Sequence, residues 1–339
     1  MRERTMNIYK KPWALLTLAI LMLCSTSSPV QAQDAHFSQF YASELSLNPA
    51  MTGMFTGDYR VHLHYRRQWV PVLSNPFETT ILSYDQPIKR FGLGVYVTNF
   101  RAGSVGMNFF NAALSVAYEI SIDPQRVHHL TTGIQLGIIH KSFDPGRATY
   151  DNQYDTAYAG GSFDPGTPSG EAFESASLVM PDVNFGIFYF NEKRNAKLNP
   201  YAAISGFHLT QPKESFYDGP NRLAMRFVGY AGTKIKLDKI YSIEPQLLYM
   251  RQTNDNELQI GCMVYYNLEG SNTNFFAGPY YRGSDALILH LGGTYEQYIF
   301  RLSYDFNVSK LRDVSDGRGG FEFSITYTKQ KARYLPSIL

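Results

Sequence analysis

Residues 33–69 read QDAHFSQFYASELSLNPAMTGMFTGDYRVHLHYRRQW and run into a segment with strict two-residue alternation. From residue 59 onward, apolar or aromatic side chains alternate with charged or polar ones. Because successive side chains of a β-strand point to opposite faces, this pattern predicts a strand with one face suited to lipid and one suited to water. The apolar face comprises Tyr59, Val61, Leu63 and Tyr65, and the polar face comprises Arg60, His62, His64 and Arg66.

The same alternation recurs through the rest of the chain, most clearly in residues 298–307 and 321–327. Each segment is close to the ~10 residues that cross a bilayer on a tilt. Aromatic residues make up 15% of the chain, and charged residues only 18%, below the ~25% usual for soluble domains. We therefore predict an all-β fold, a transmembrane antiparallel β-barrel of about 14 strands with an N-terminal periplasmic or lumenal segment.

The N-terminus has the pattern of a secretory signal. Four basic residues precede the apolar run 13–23, and the small-residue site Val30-Gln31-Ala32 follows it. We predict a signal peptide over residues 1–32 and, after its cleavage in the Sec pathway, a protein of the cell outer membrane. The mature chain is expected to comprise an N-terminal hatch or docking segment (33–58), the barrel (59–329) and a periplasmic C-terminal tail (330–339).

The lengths of the predicted connections alternate. Counted from a periplasmic N-terminus, the odd-numbered links should be external, and they include the long stretches 143–181, 210–221 and 309–319. The first of these is rich in Gly, Pro and Asp and is predicted to be a solvated loop. A Ca²⁺ site is the alternative, although the spacing of its acidic residues Asp144, Asp151, Asp155 and Asp164 fits no calcium loop.

A tight turn precedes the first strand. Pro49 fixes one backbone angle and disfavours helical geometry at Asn48, while Gly53 permits a left-handed exit. The turn can be the start of a helix capped by Asn48, with Pro49 in its first turn. It can also belong to a hatch folded into the lumen or across the periplasmic mouth.

Residues 33–69 resemble the start of the PorP/SprF family, outer-membrane proteins of the type IX secretion and gliding machinery. The segment 320–327 is also similar to the family. The residues singled out as an N-terminal docking or plug motif are Phe37, Ser38, Gln39, Phe40, Tyr41, Asn48, Pro49, Ala50 and Gly53, and those of a first-strand motif are Arg60, Tyr65, Arg66, Gln68 and Trp69.

The resemblance implies a non-catalytic component of type IX secretion that supports secretion or surface attachment of partner adhesins. The implied partners are outer-membrane lipid, periplasmic and outer-membrane components of the secretion machinery, and a secreted adhesin or its C-terminal domain. The alternative is a FadL-like passive transporter of hydrophobic compounds, since that group has a similar Asn-Pro-Ala turn in its N-terminal hatch.

Catalytic, metal and cofactor sites are not predicted. No histidine lies in a metal-ligand spacing, and Cys262 is the only cysteine of the mature chain. A lipid hydrolase would need Ser, His and an orienting group together; His290 and Ser303 are present without a local signature. A net charge of +2 does not predict nucleic-acid binding.

The polar faces carry charges of both signs. A wide pore tolerates such a mixture, and so does a barrel closed by ion pairs; we predict a lumen largely filled by residues 33–56 and inward side chains. His62 and His64 are read as polar lumen residues, with a proton-sensitive gate as the alternative. An arginine is expected to be tolerated at Ser303 and not at Leu302. The lumenal charges are Arg60, Arg66, Glu119, Lys141, Glu244, Arg282, Arg301, Asp305 and Glu322.

Overall fold

A computed structural model describes residues 34–330, apart from 71, 72, 74, 123–126, 156–161, 165, 172, 174, 194, 195 and 218. The predicted signal peptide and all but the first residue of the predicted C-terminal tail lie outside the described residues. Within them, no helix has the 18 residues and the hydropathy needed to cross a membrane.

The described residues form a closed antiparallel barrel of 14 strands, in which the first strand pairs with the last. The prediction of about 14 strands is therefore confirmed. Two further short strands, β6 (Tyr154–Asp155) and β7 (Ser162–Phe163), form a separate hairpin between β5 and β8. The barrel strands are β1 (Tyr59–Gln68), β2 (Phe77–Ile88), β3 (Phe91–Ala102), β4 (Met107–Ser121), β5 (His128–Ser142), β8 (Ser177–Asn191), β9 (Leu198–Phe207), β10 (Arg226–Lys236), β11 (Tyr241–Gln252), β12 (Asp255–Asn267), β13 (Asn274–Arg282), β14 (Ala286–Tyr295), β15 (Tyr298–Asn307) and β16 (Arg318–Lys329).

The two ends of the barrel differ in the length of their links. Each barrel strand pairs with its neighbours along the chain, so alternate links lie at the same end. The links 143–176, 208–225 and 308–317 lie at one end, which we call the long-loop end. Links such as 89–90, 237–240 and 296–297 lie at the other, the short-turn end. Bacterial barrels keep their longer loops outside the cell. The three longest links lie together at one end, as predicted, although 253–254 and 283–285 at the same end are short.

The alternation of side chains matches the predicted two faces. In β1, Arg60, His62, His64 and Arg66 point inward and are at most 6% exposed, whereas the outward Leu63 is 39% exposed. An outward apolar face and an inward polar face are what a bilayer-spanning barrel requires. The two-residue alternation of the sequence therefore separates the side chains that face lipid from those that face the lumen.

The lumen holds residues 34–58, which we call the lumenal segment. It enters at the long-loop end, where the Asp34 amide donates to Gln252 Oε1 at 2.9 Å. It leaves at the short-turn end, where the Asp58 amide donates to the Lys329 carbonyl at 2.8 Å. Three short helical turns, Phe40–Ala42, Glu44–Leu47 and Pro49–Met51, lie between. The segment runs the length of the barrel rather than across its periplasmic mouth.

The lumenal segment limits the space for side chains on the inward face of the barrel. Ser303 in β15 is 3% exposed, and its hydroxyl accepts a hydrogen bond from Gln39 Nε2 at 3.1 Å. The tolerance of an arginine at Ser303 stays a prediction, and the contact with Gln39 shows that the lumenal segment occupies the space beside this side chain.

The outward face of β15 allows a test of the membrane boundary. Arginine at Leu302, mid-strand and 45% exposed, should destabilise the barrel by ~2–4 kcal/mol, because its charge would lie in hydrocarbon. Arginine at Tyr298, on the same face at the strand's first residue, should cost only ~0–1 kcal/mol. Denaturant unfolding in lipid vesicles measures both changes, and equal costs would contradict the assigned faces.

Candidate functional site

The most densely charged part of the interior lies at the seam where the barrel closes. Arg66 of β1 and Glu322 of β16 are directly opposite in the register and form an ion pair. Arg66 also pairs with Asp305 at 3.1 Å, and Arg282 pairs with the same carboxylate at 2.5 Å. All four side chains are at most 3% exposed. We call Arg66, Arg282, Asp305 and Glu322 the charged clamp.

The charged clamp holds the backbone of the lumenal segment. The amides of Ser38 and Gln39 donate to the two oxygens of Glu322 at 2.6 and 2.8 Å. The Ser38 hydroxyl donates to Asp305 Oδ1 at 2.6 Å. Hydrogen bonds to ionised groups are roughly twice as strong as neutral ones. Two successive residues are thus fixed by the carboxylates that neutralise the arginines.

Side chains of the barrel wall also form hydrogen bonds with other polar groups of Ser38 and Gln39. Gln259 Nε2 donates to the Ser38 carbonyl at 2.7 Å, and the Ser324 hydroxyl donates to Gln39 Oε1 at 2.7 Å. A buried polar group left without a partner costs about 1–3 kcal/mol. This full pairing explains why a serine and a glutamine stand at fully buried positions.

Aromatic contacts flank the charged clamp. Phe40 packs edge-on against Tyr230 and Tyr280, with ring centroids 5.5 and 6.1 Å apart. Tyr41 Oη hydrogen bonds with His290 Nδ1 at 3.2 Å. Edge-to-face pairs of this kind add roughly 0.5–1.5 kcal/mol beyond the area they bury. The aromatic residues of the motif therefore pack against the barrel wall.

His62 and His64 are bonded on both ring nitrogens. Each faces the Ser43 hydroxyl, at 2.8 and 2.9 Å. Their other nitrogens reach the Thr326 hydroxyl at 2.9 Å and Glu322 Oε2 at 3.2 Å. This is the arrangement of polar lumen residues that bond across strands; a role as a proton-sensitive gate stays a hypothesis.

A second ion-paired group lies nearer the short-turn end. The Arg60 guanidinium donates to Glu44 at 2.5 Å and to both oxygens of Asp85. Asp85 also accepts from the Gly53 amide at 2.7 Å. The segment is therefore held by charged groups at two depths.

The Asn48-Pro49-Ala50 turn fits both interpretations made from the sequence. The Asn48 side chain caps the short helix Pro49–Met51 by accepting from the Ala50 amide at 2.8 Å. Its amide group also donates to the carbonyls of Ile187 and Ile204, at 3.1 and 2.9 Å. Gly53 has the left-handed φ of +72°. The turn is a capped helix start that is bonded to the barrel wall.

The wall is shaped for this turn by two glycines. A Cβ atom at Gly186 would collide with the Asn48 side chain, and one at Gly133 would collide with the Pro49 carbonyl. The close approach of the turn to β5 and β8 requires residues without side chains at these positions.

A third anchor, at the long-loop end, was not predicted. His208 lies between two carboxylates, with Nε2 2.7 Å from Asp34 and Nδ1 2.9 Å from Asp182, and Arg226 is 3.2 Å from Asp34. Burial alone would lower the pKa of His208, but the charges of Asp34 and Asp182 and their hydrogen bonds outweigh burial and raise it to about 9. No local pattern in the sequence pairs His208 with Asp34, which is the second residue after the predicted cleavage site.

The first-strand motif does not gather at one site. Arg60 and Arg66 point into the lumen and bind the lumenal segment, as described above. Tyr65 lies on the outward face and donates from Oη to Glu78 at 3.0 Å. Gln68 ends β1, and Trp69 follows with a φ of 59°, its ring centroid 4.4 Å from that of Phe77. These three residues form part of the rim.

His290 and Ser303 lie opposite each other in the β14–β15 register. The lumenal segment binds both side chains, because Tyr41 contacts His290 and Gln39 contacts Ser303. Among the described residues, no group of three or more His, Cys, Asp or Glu is placed to hold a metal ion.

Removal of the Glu322 charge should destabilise the protein strongly. Glu322→Gln keeps the shape but removes one of the two carboxylates that pair with Arg66 and the anionic acceptor of two amides, so we expect a loss of about 3–5 kcal/mol. Denaturant unfolding in lipid vesicles measures this loss. The matched control is Glu78→Gln, in a half-exposed pair with Arg67 at 3.4 Å, where about 0.5 kcal/mol or less is expected. Comparable losses at both positions would show that the charged clamp is not a stabilising centre.

The His208 anchor should weaken at alkaline pH. Its pKa of about 9 in the folded protein exceeds the ~6.5 of an unfolded histidine. The stabilisation is therefore complete below about pH 6.5 and is lost as pH rises through about 9. The difference in unfolding free energy between the wild type and His208→Gln should fall by roughly 3 kcal/mol between pH 6 and 10.5. A difference that does not change with pH would argue against a charged His208.

Comparison with known proteins connects this architecture to a family. A family model described as type IX secretion system membrane protein PorP/SprF matches residues 30–327. No curated protein matches the chain.

Among solved structures, the chain is similar to the TodX deltaS2S3 mutant monoaromatic hydrocarbon channel, with a TM-score of 0.50, 10% identity and coverage of 85% of this chain and 94% of that one. It is also similar to the toluene transporter TodX of P. putida, with a TM-score of 0.48, 9% identity and coverage of 84% and 92%. A Pseudomonas aeruginosa FadL homologue matches with a TM-score of 0.42, 10% identity and coverage of 83% and 92%. Identities this low show the barrel fold alone.

The family match spans the lumenal segment and nearly all of the barrel, including the charged clamp. The fold is that of an outer-membrane barrel, in agreement with the localisation that the family implies. The chain therefore belongs to the PorP/SprF family of type IX secretion system membrane proteins.

Proposed function

We propose that the protein is a non-catalytic scaffold of type IX secretion in the outer membrane, which supports the secretion or surface attachment of a partner adhesin. The observation that carries this proposal is the closed lumen. Residues 34–58 are bound to the wall by the charged clamp, by the Arg60–Asp85 pair and by the His208 anchor. We therefore place the functional contacts at the two ends of the barrel and not in a passage through it.

The orientation that we propose places the long-loop end outside the cell. The links there are long enough to contact a secreted protein, whereas the short-turn end would face the periplasmic components of the machinery. The lumenal segment begins beside His208 at the long-loop end, so both ends of the barrel are connected by one bound segment. Outer-membrane lipid covers the outward apolar face.

The alternative function is passive transport of hydrophobic compounds, as in FadL-like barrels. The fold similarity is compatible with it, but the interior contacts are unfavourable. An apolar solute passing through the lumen would have to displace Ser38 and Gln39, so that Glu322 would lose the two amide hydrogen bonds that it accepts. A buried polar group left without its partner costs about 1–3 kcal/mol. The contacts therefore favour a fixed lumenal segment over a mobile hatch.

Deletion of the lumenal segment would not separate the two functions, because it would empty the lumen in either case. Loss of surface display in a strain without the protein separates them, and a locked segment then tests whether the scaffold needs the segment to move. Thr52 Oγ1 and Ser115 Oγ are 2.6 Å apart, so cysteines at both positions should form a disulfide between the segment and β4. Cys262 is replaced by serine in this background to avoid mispairing.

The locked variant should display the secreted partner at the wild-type level, because a scaffold does not need the lumenal segment to move. The surface proteome of cells that carry the Thr52→Cys/Ser115→Cys variant measures this, with Thr52→Cys alone as the matched control. A strain without the protein should lose the partner from the surface. Loss of display in the oxidised variant, restored by reductant at unchanged barrel levels, would show that the segment must move.

A further inference from the structure

The long-loop end carries an aromatic surface built from two links. Phe143 begins the link 143–176, and its amide donates to the Ala176 carbonyl at 3.1 Å. The Ser175 amide donates to the Phe216 carbonyl of the link 208–225 at 3.4 Å. The two links are thereby joined above β5 and β8.

Five rings form what we call the aromatic platform: Phe143, Tyr150, Phe173, Phe216 and Tyr217. Phe143 lies 5.0 Å from Phe173 and 4.7 Å from Phe216, between ring centroids. Phe173 lies 4.8 Å from Tyr217 and 6.5 Å from Tyr150. Tyr217 is 43% exposed, whereas the other four rings are half-buried. An aromatic cluster that leaves a ring accessible is a feature of protein interaction sites.

The exposed aromatics extend beyond the aromatic platform to the β6–β7 hairpin. Tyr154 and Phe163 pair across this hairpin and are 51% and 43% exposed. A hairpin with two residues in each strand cannot bury these rings by itself. They enlarge the apolar surface that the long-loop end presents.

Negative charge is concentrated in the same link. Residues 143–176 contain six acidic residues and one basic residue, Arg147. The links 208–225 and 308–317 each contain two acidic residues against two Lys or Arg. Glu171 reaches the aromatic platform directly, since its carboxylate accepts from Tyr217 Oη at 3.0 Å. The aromatic surface is therefore the acidic part of this end.

We propose that the aromatic platform and the exposed acidic side chains Asp151, Asp164 and Glu171 of the same link are the docking surface for a basic segment of the secreted protein that this chain supports. The inference rests on the proposed function and names the surface and the chemistry of the partner. Arg and Lys side chains bind both the faces of aromatic rings and carboxylates. Complementary charge also steers association and rejects partners of like charge.

Other occupants fit the surface less well. Anionic lipid headgroups would be repelled by the acidic link, and a neutral surface would gain nothing from its charge. The described carboxylates form no cluster for a metal ion, so the charge is available to a cationic partner. A second copy of this chain would bring the same acidic link into the contact.

The test uses intact cells and a photo-crosslinking amino acid, p-benzoylphenylalanine, placed at Tyr217. The matched control places it at Val314, which is 63% exposed in the charge-balanced link 308–317 at the same end. Mass spectrometry identifies the crosslinked peptide. We expect a segment of a secreted protein with net positive charge at Tyr217 and not at Val314.

The charge dependence is tested in the triple variant Asp151→Asn, Asp164→Asn and Glu171→Gln. These isosteric changes keep the size of the side chains and remove their charge, and they should lower the crosslink yield about tenfold, as three exposed charge contacts would. An acidic or neutral segment, a second copy of this chain, a lipid adduct, no adduct, or an unchanged yield in the triple variant would each overturn the docking surface.

Different results would contradict the proposed scaffold function and the proposed docking surface. If a strain without the protein still displays its surface proteins, the proposed scaffold function is wrong. If display is lost in that strain but the Tyr217 crosslink shows no basic segment, only the docking surface is wrong.

Discussion

Buried charge is the constraint on which the rest of this structure depends. A barrel of 14 strands that closes with Arg66 opposite Glu322 encloses ions that must be either hydrated or paired. Here they are paired, and the same carboxylate that neutralises Arg66 also accepts two amides of the lumenal segment. Since a buried ion without partners costs several kcal/mol, the arginines, the carboxylates and the segment require one another.

The charged clamp takes part both in the closure of the barrel wall and in the filling of the lumen. Glu322 belongs to β16 and Arg66 to β1, the strands that close the barrel. The residues that complete the sheet are therefore the residues that hold Ser38 and Gln39. The closure of the wall and the filling of the lumen share one set of hydrogen bonds, which suits a rigid scaffold better than a channel with a mobile hatch.

The two ends of the barrel have different chemistry, and this difference bears on function. The long-loop end combines exposed aromatic rings with an acidic link, whereas the links of the short-turn end are too short to build such a surface. The lumenal segment begins at His208 beside one end and finishes at Lys329 beside the other. One segment bound in the lumen therefore reaches both ends of the barrel.

Much of the fold follows from the sequence because a strand has a period of two. Lipid outside and polar groups inside impose that period on each strand, so the strand count, the faces of β1 and β15 and the alternation of link lengths could be predicted locally. The turn at Asn48 could be predicted for the same reason, since Pro49 acts on its immediate neighbours.

The pairing of the charges could not be predicted in this way. Asp85 was absent from the predicted lumenal charges, although the register places it opposite Arg60, and the His208 anchor joins residues 174 positions apart. The contact between Gln39 and Ser303 likewise joins residues distant in the chain. A sequence pattern reports which face of a strand a side chain takes, whereas the partner across the lumen depends on barrel closure and on the path of residues 34–58. By itself, the sequence determined the strands, their two faces and the family resemblance; only the tertiary structure decided that the interior is closed, because the contacts that close it are between residues distant in the chain.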